Sequence, residues 1–425
     1  MKVAQRSVGL VAAATAASLA LLSPATAQAA TSVPTPANDS FYSYSGPLSG
    51  VPNGTILRKR TVETAPMGTA AVLPATQVLY KTTDDLGQPD ATVATIFRPL
   101  SSMLGMRSKI ISYQEFYDGL ASTCRPSYQL RIGGTTLSKA QNAVDEEPIT
   151  QWLAAGYTVV TSDYEGSTDD FGAGIQSGRQ TLDGIRATEH LLGDPASTAV
   201  GLEGYSGGST ASMWAAQEQP TYAPRLNIRG VAAGGIPVDF AHNLLYINES
   251  TSWAGAMPAV ALGLIRAFHA DASTYANAAG MAVLTQTAKG CLVPKADPGL
   301  DFHTMLKPAY QDWQHVPFFV KVFNSTIMGR GPTPREPLLM TVGSSDGTGD
   351  GVMVAKDVQQ LAYEYCRRGV PVDFKTDKGL NHTEAALSFL PRATAFLNAR
   401  MHGRSTTTDC SSTEAGNPLT PLPAH

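Results

Sequence analysis

The chain has 425 residues, with 31 Lys and Arg against 35 Asp and Glu for a net charge of −4, and 43% of its residues are hydrophobic. That balance is ordinary for a globular protein and, with no basic run, argues against nucleic acid as a partner. The length exceeds the ~250–300 residues over which a single core keeps growing, so one large core with an inserted subdomain, or two domains, is expected.

At the N-terminus Lys2 and Arg6 precede an apolar run over 8–22, and Ala27-Gln28-Ala29 offers a small-x-small cleavage site. A secretory signal peptide over 1–29 is predicted, because the run is shorter than the roughly 20 residues of a membrane span. Secretion is therefore the expected localisation. The stretch 31–57, rich in Pro, Ser, Gly and Asn, reads as an extended arm wrapping the body. Strands are predicted at 78–80 and 92–97, flanking the turn residues 84–90, and at 109–113. A helix over "PITQWLAAG" leads to a buried strand at 157–161, followed by a helix at 182–192 and strands at 199–203 and 230–235. Strands alternating with helices imply a parallel sheet covered on both faces.

The rhythm breaks over 235–336. Ala261, Leu264, Ile265 and Phe268 form an i, i+3, i+4, i+7 stripe with Arg266 and His269 on the other side, and "VPFFVKVF" begins at Val316. A helical cap inserted between two sheet strands is predicted, with these apolar stretches as candidates for a lid rim. Strands resume at 338–342 and 372–375. The expected organisation is a core of 30–234 and 337–425 with the cap at 235–336.

The stretch "GLEGYSGGSTASMWAA" carries the chemistry. Gly204-Tyr205-Ser206-Gly207-Gly208 fits the G-x-S-x-G nucleophile elbow, in which a strand turns sharply into a helix. The pattern alone is weak, since Gly343-Ser344-Ser345-Asp346-Gly347 also matches, but only Ser206 stands between an apolar strand and a helix. A serine hydroxyl needs a base oriented by a carboxylate, and in the α/β-hydrolase order these follow as Ser, acid, His. His382, in the loop after 372–375, is the candidate base; His402 and His425 lie in the terminal tail. The acid is Asp350 or Asp346, both in "GSSDGTGDGVM". Asp350 is preferred because it adjoins the apolar Val352-Met353 that would anchor the loop.

Four cysteines, Cys124, Cys291, Cys366 and Cys410, lack CxxC spacing, so metal binding is not expected, and in an exported chain two disulfides are the default, with three possible connectivities.

Several of these stretches together resemble the secretory lipase family of the lipase A type. They are "FYSYSGPL…GTILRKR", "YQEFYDGLASTCRPSY", "GYTVVTSDYEG", "EGYSGGS" and "LAYEYCRRGVPV…H". The resemblance implies Ser206, an aspartate and His382 as a triad, and its register selects Asp350. It also implies that the backbone N–H groups of Asp118 and Gly207 form the oxyanion hole, and that the pairing is Cys124–Cys291 and Cys366–Cys410. The expected protein is a secreted α/β hydrolase: a mostly parallel, doubly wound sheet with a helical cap or lid. It would cleave carboxylic esters, acylglycerols foremost, without cofactor or metal. Its partners would be a lipid or small-ester substrate and, transiently, a lipid interface, with no obligate protein partner. A peptidase or acyltransferase on the same triad, or a non-catalytic binding protein on the same fold, is the alternative.

Overall fold

The computed structural model describes residues 33–66, 72–134, 139–291 and 300–423. The signal-peptide expectation lies outside these residues. The body is one nine-stranded sheet, ordered β1-β2-β3-β5-β4-β6-β7-β8-β9. β1 (Ile56–Thr64), β2 (Leu73–Thr83) and β3 (Pro89–Phe97) form an antiparallel meander. β3 pairs antiparallel with β5 (Thr158–Ser162). From there β4 (Ile110–Gln114), β6 (Ala199–Tyr205), β7 (Asn227–Gly234), β8 (Leu338–Ser344) and β9 (Val372–Lys378) continue in parallel.

The parallel strands are short and buried on both faces, so their side chains divide alternately between two cores. Ile110 and Val160 point into one, with Leu182, Met213 and Trp214. Ile111 and Val159 point into the other, with Trp152, Phe389 and Leu397. α1 (Leu100–Met103) and α2 (Pro126–Gln129) are single turns. The first core lies under α4 (Gly174–Leu192), α5 (Gly207–Tyr222) and α12 (Ala355–Arg367); the second lies under α3 (Lys139–Ala154) and α13 (His382–Met401).

After β7 the chain leaves the sheet through α6 (Phe240–Ile247), α7 (Ala256–Ala267), α8 (Ala272–Tyr275), α9 (Ala278–Thr287), α10 (Phe302–Met305) and α11 (Pro317–Ser325) before returning as β8. These helices bury a third core of their own, with Leu244, Val260, Leu264, Phe302, Trp313 and Phe323. Cys124, after β4, is bonded to Cys291 in this insertion, and Cys366 on α12 to Cys410 in the C-terminal tail. Among the described residues no helix is long and apolar enough to cross a membrane.

Two expectations need correction. The arm ends sooner than 57, because Ile56 already opens β1, whose Arg58-Lys59-Arg60 run hides it from a hydropathy reading. Such charges suit an edge strand, where they discourage pairing with other chains. Arg60 binds Asp39 at 2.6 Å and lies 4.0 Å over the Phe41 ring, fastening the arm to β1. Secondly, α4 starts at Gly174 rather than 182. A Cβ there would lie 2.2 Å from Trp214 Nε1, so the glycine serves close helix packing and is no breaker. The predicted stripe is buried at Ala261, Leu264 and Ile265 on α7, with Phe268 just past the helix end at Ala267, and Arg266 is half-buried. Its guanidinium donates to the carbonyls of Leu120 (2.9 Å), Thr168 and Asp169 (both 3.2 Å), tying the insertion to the core.

Candidate active site

Ser206 sits where β6 stops and α5 begins, at φ +54°, ψ −122°. A non-glycine residue holds that conformation only when its surroundings over-determine it. Here Ser206 N donates to Gly234 O (2.9 Å), and Ser206 O accepts from the hydroxyl and amide of Ser209. Gly208 lets the turn press against β4: a Cβ on it would lie 2.0 Å from Gln114 O. Gly208→Ala must therefore move backbone, and we expect a loss of about 3 kcal/mol in a urea melt; a cost below ~1 kcal/mol would show the turn to be pliable.

His382 opens α13. Asn381 caps this helix, its side chain accepting from the amides of Thr383 and Glu384 while Glu384 reaches back to Asn381 N. The cap sets the entry angle that aims the imidazole at the elbow. Nε2 lies 2.9 Å from Ser206 Oγ, and Nδ1 lies 2.8 Å from Asp350 Oδ2. His382 N donates to Asp350 O (2.9 Å), and Tyr205 Oη donates to His382 O (2.6 Å). The ring is flanked by Tyr205 at 5.1 Å and, edge-on, by Trp253 of the insertion at 5.4 Å.

Of the two candidate acids, only Asp350 is brought to His382. It is buried, and its Oδ1 accepts from the amides of Val352 (2.9 Å) and Met353 (2.7 Å). That leaves Oδ2 to the imidazole. Asp346 is exposed and shapes the loop instead, accepting from the amides of Thr348 and Gly349 (2.8 Å each) and from Tyr246 Oη (2.7 Å).

Asp118 follows β4 in a loop that packs on the elbow, at φ +31°. It is buried, and a Cβ on Gly207 would lie 1.6 Å from its Oδ1, so the two residues meet at van der Waals distance. Burial pushes the Asp118 carboxyl up to about 7 against the opposing pull of His382. Glu165 accepts from Gly119 N (3.2 Å) beside it and is likewise raised by burial. Trp253 and the contacts of the Tyr205 and Asp118 side chains leave no signal in the sequence, because they are tertiary.

Comparison with known proteins agrees in one direction. Residues 133–409 match the family model described as "Secretory lipase". The chain is 36% identical over 291 residues to Lipase A of Moesziomyces aphidis, covering 68% of this chain and 62% of the relative. It is 32% identical over 410 residues to Lipase 2 of Candida albicans (89% and 84%). It is also 32% identical over 381 residues to a Mycobacterium tuberculosis protein named as a probable inactive lipase (88% and 84%). Among solved structures, Candida antarctica lipase A in its closed state superposes with a TM-score of 0.79 at 26% identity, over 92% of each chain.

Proposed function

The chain belongs to the secretory lipase family, and from that premise we propose that it hydrolyses carboxylic esters, acylglycerols included, outside the cell that makes it. One observation carries the reading: the unbroken contact from Ser206 Oγ through His382 to Asp350 at a strand-to-helix turn. A relative named inactive shows that membership alone does not guarantee turnover, so the reading rests on these residues.

In the proposed reaction Ser206 Oγ attacks the ester carbonyl as His382 Nε2 takes its proton. Asp350 holds Nδ1–H and stabilises the imidazolium that forms. The carbonyl oxygen becomes an oxyanion received by the backbone N–H groups of Gly207 and Asp118, each worth roughly 2.7–4 kcal/mol to the transition state. Collapse expels the alcohol, which takes the proton from His382 and leaves an acyl-serine. Water, deprotonated by His382, then releases the carboxylic acid. Neither metal nor organic cofactor has a step to perform.

The test is hydrolysis by the purified protein across p-nitrophenyl esters from acetate to palmitate. Turnover that persists or rises toward palmitate supports a lipase; turnover confined to acetate makes it an esterase; none at any length, from folded protein, overturns the reading.

The two phenylalanines of "VPFFVKVF" serve different ends. Phe319 is buried among Phe302, Phe323 and Tyr275, whereas Phe318 is half-buried and stacks on Tyr275 at 4.8 Å. Phe319→Ser should destabilise the fold by ~3–5 kcal/mol and lower activity on every ester alike. Phe318→Ser should leave the melting temperature near wild type and lower palmitate over acetate turnover by about tenfold, the worth of one or two apolar contacts. An unchanged ratio in Phe318→Ser removes α11 from the acyl path.

A further inference from the structure

We propose that the protein binds a phosphate ester of a small polyol, free or as the head of a lipid, in a pocket at the end of the sheet remote from Ser206. Such binding needs no ester hydrolysis and stands apart from the reading above.

β6 to β9 run parallel, so the starts of β7 and β8 lie at one edge of the sheet, and the triad gathers at the other. At those starts opens a pocket of about 350 Å³, walled also by the last turn of α5 and the end of α13. Its size suits a small molecule. Three arginines line it: Arg229 on β7, Arg335 just ahead of β8, and Arg400 on α13. Gly230 permits their approach. A Cβ on it would lie 2.9 Å from Arg400 Cγ, so the missing side chain lets the Arg400 stem cross β7 beside Arg229.

These cations lack counter-ions. Arg400 donates to two carbonyls, Arg229 O (3.1 Å) from Nε and Arg404 O (2.9 Å) from Nη1. Arg229 Nη1 reaches the side-chain oxygen of Asn227 at 3.5 Å. Among the described residues none of the three guanidinium groups forms an ion pair. Burial, and then Arg229, work against the charge on Arg400. Like charges gathered in a recess with donors to spare suit an anion, and guanidinium forks match phosphate oxygens in pairs.

The pocket wall adds a second signal. Gln219 Nε2 donates to Ala223 O (3.3 Å) and Leu226 O (3.1 Å), and its Oε1 is buried without a partner among the described residues. Glu336 accepts from Arg335 N (3.1 Å) through Oε2, and its Oε1 is likewise buried and unpaired. Burial raises this carboxyl to about 7 against the pull of Arg335, which makes it a weak counter-ion for the arginines. Buried polar atoms without partners call for a use. An amide oxygen can only accept, so the fitting ligand brings a hydroxyl as well as an anion. Inorganic phosphate would satisfy the arginines; a phosphorylated polyol would also reach the wall.

The experiment is calorimetric titration of the purified protein with sn-glycerol 3-phosphate and with inorganic phosphate, beside co-sedimentation with phosphatidylglycerol vesicles. Glycerol 3-phosphate should bind about tenfold tighter than inorganic phosphate. Arg335→Gln, at an exposed position, should keep the melting temperature and weaken the ester about tenfold or more, the worth of one charge-assisted hydrogen bond. Arg107→Gln, an exposed cation outside the pocket, should change it less than about twofold. Should vesicles bind where the free ester does not, with the same dependence on Arg335, the ligand is the lipid head. Inorganic phosphate bound as tightly as the ester overturns the proposal. So does the absence of binding to ester and vesicles alike, or binding that Arg335→Gln leaves unchanged. Turnover of p-nitrophenyl acetate should be the same in Arg335→Gln as in wild type, so the two readings fail separately.

Discussion

Ser206→Ala is expected to lower kcat for p-nitrophenyl esters by about 10⁵–10⁶-fold with no loss of folded protein. The oxygen removed lies 2.9 Å from His382 Nε2, and no acyl-enzyme can form without it. The elbow itself should stand, because its strained backbone is held by amide and carbonyl contacts that alanine keeps. A residual rate of about 10³-fold over water would still reflect the oxyanion hole. Turnover within tenfold of wild type, in a sample free of contaminating esterase, would mean that another group attacks.

Asp350→Asn should cost about 10⁴-fold in kcat, and Asp346→Asn less than about threefold. The asymmetry follows from hydrogen-bond roles. Asp350 Oδ1 accepts two amides, so an asparagine must keep its carbonyl oxygen there and turn its NH₂ toward His382 Nδ1. That donor forces the imidazole proton onto Nε2, and Nε2 can then no longer accept from Ser206. At 346 the asparagine oxygen can still cap Thr348 and Gly349 while the NH₂ meets Tyr246 Oη. The loop survives and the imidazole is untouched. A reversed ranking in purified variants with equal melting temperatures would move the acid to 346.

These assignments were readable because an elbow and the order Ser, acid, His are local patterns attached to strand ends. The parallel strands were equally plain: a segment such as "TVVTS", buried on both sides, must be apolar or small throughout. The choice between Asp350 and Asp346 was harder, since four residues of glycine-rich loop carry no periodicity. Which carboxyl turns inward depends on the amides of Val352 and Met353, a feature of folded backbone. β1 escaped notice because an edge strand is written in charges. Trp253 was invisible for another reason: nothing within the insertion's own sequence says that this ring meets an imidazole 129 positions later.

The sheet order also has a consequence in time. Asp118 follows β4, Ser206 follows β6, Asp350 follows β8, and His382 follows β9. A chain released N-terminus first thus presents Ser206 long before Asp350, and His382 last of all. The helical insertion lengthens that interval by standing between β7 and β8. Until residue 382 has emerged and docked, Ser206 is an unactivated alcohol beside an incomplete sheet. On the proposed reading, the ester-cleaving contact from Ser206 through His382 to Asp350 is completed only when nearly all of the chain has emerged.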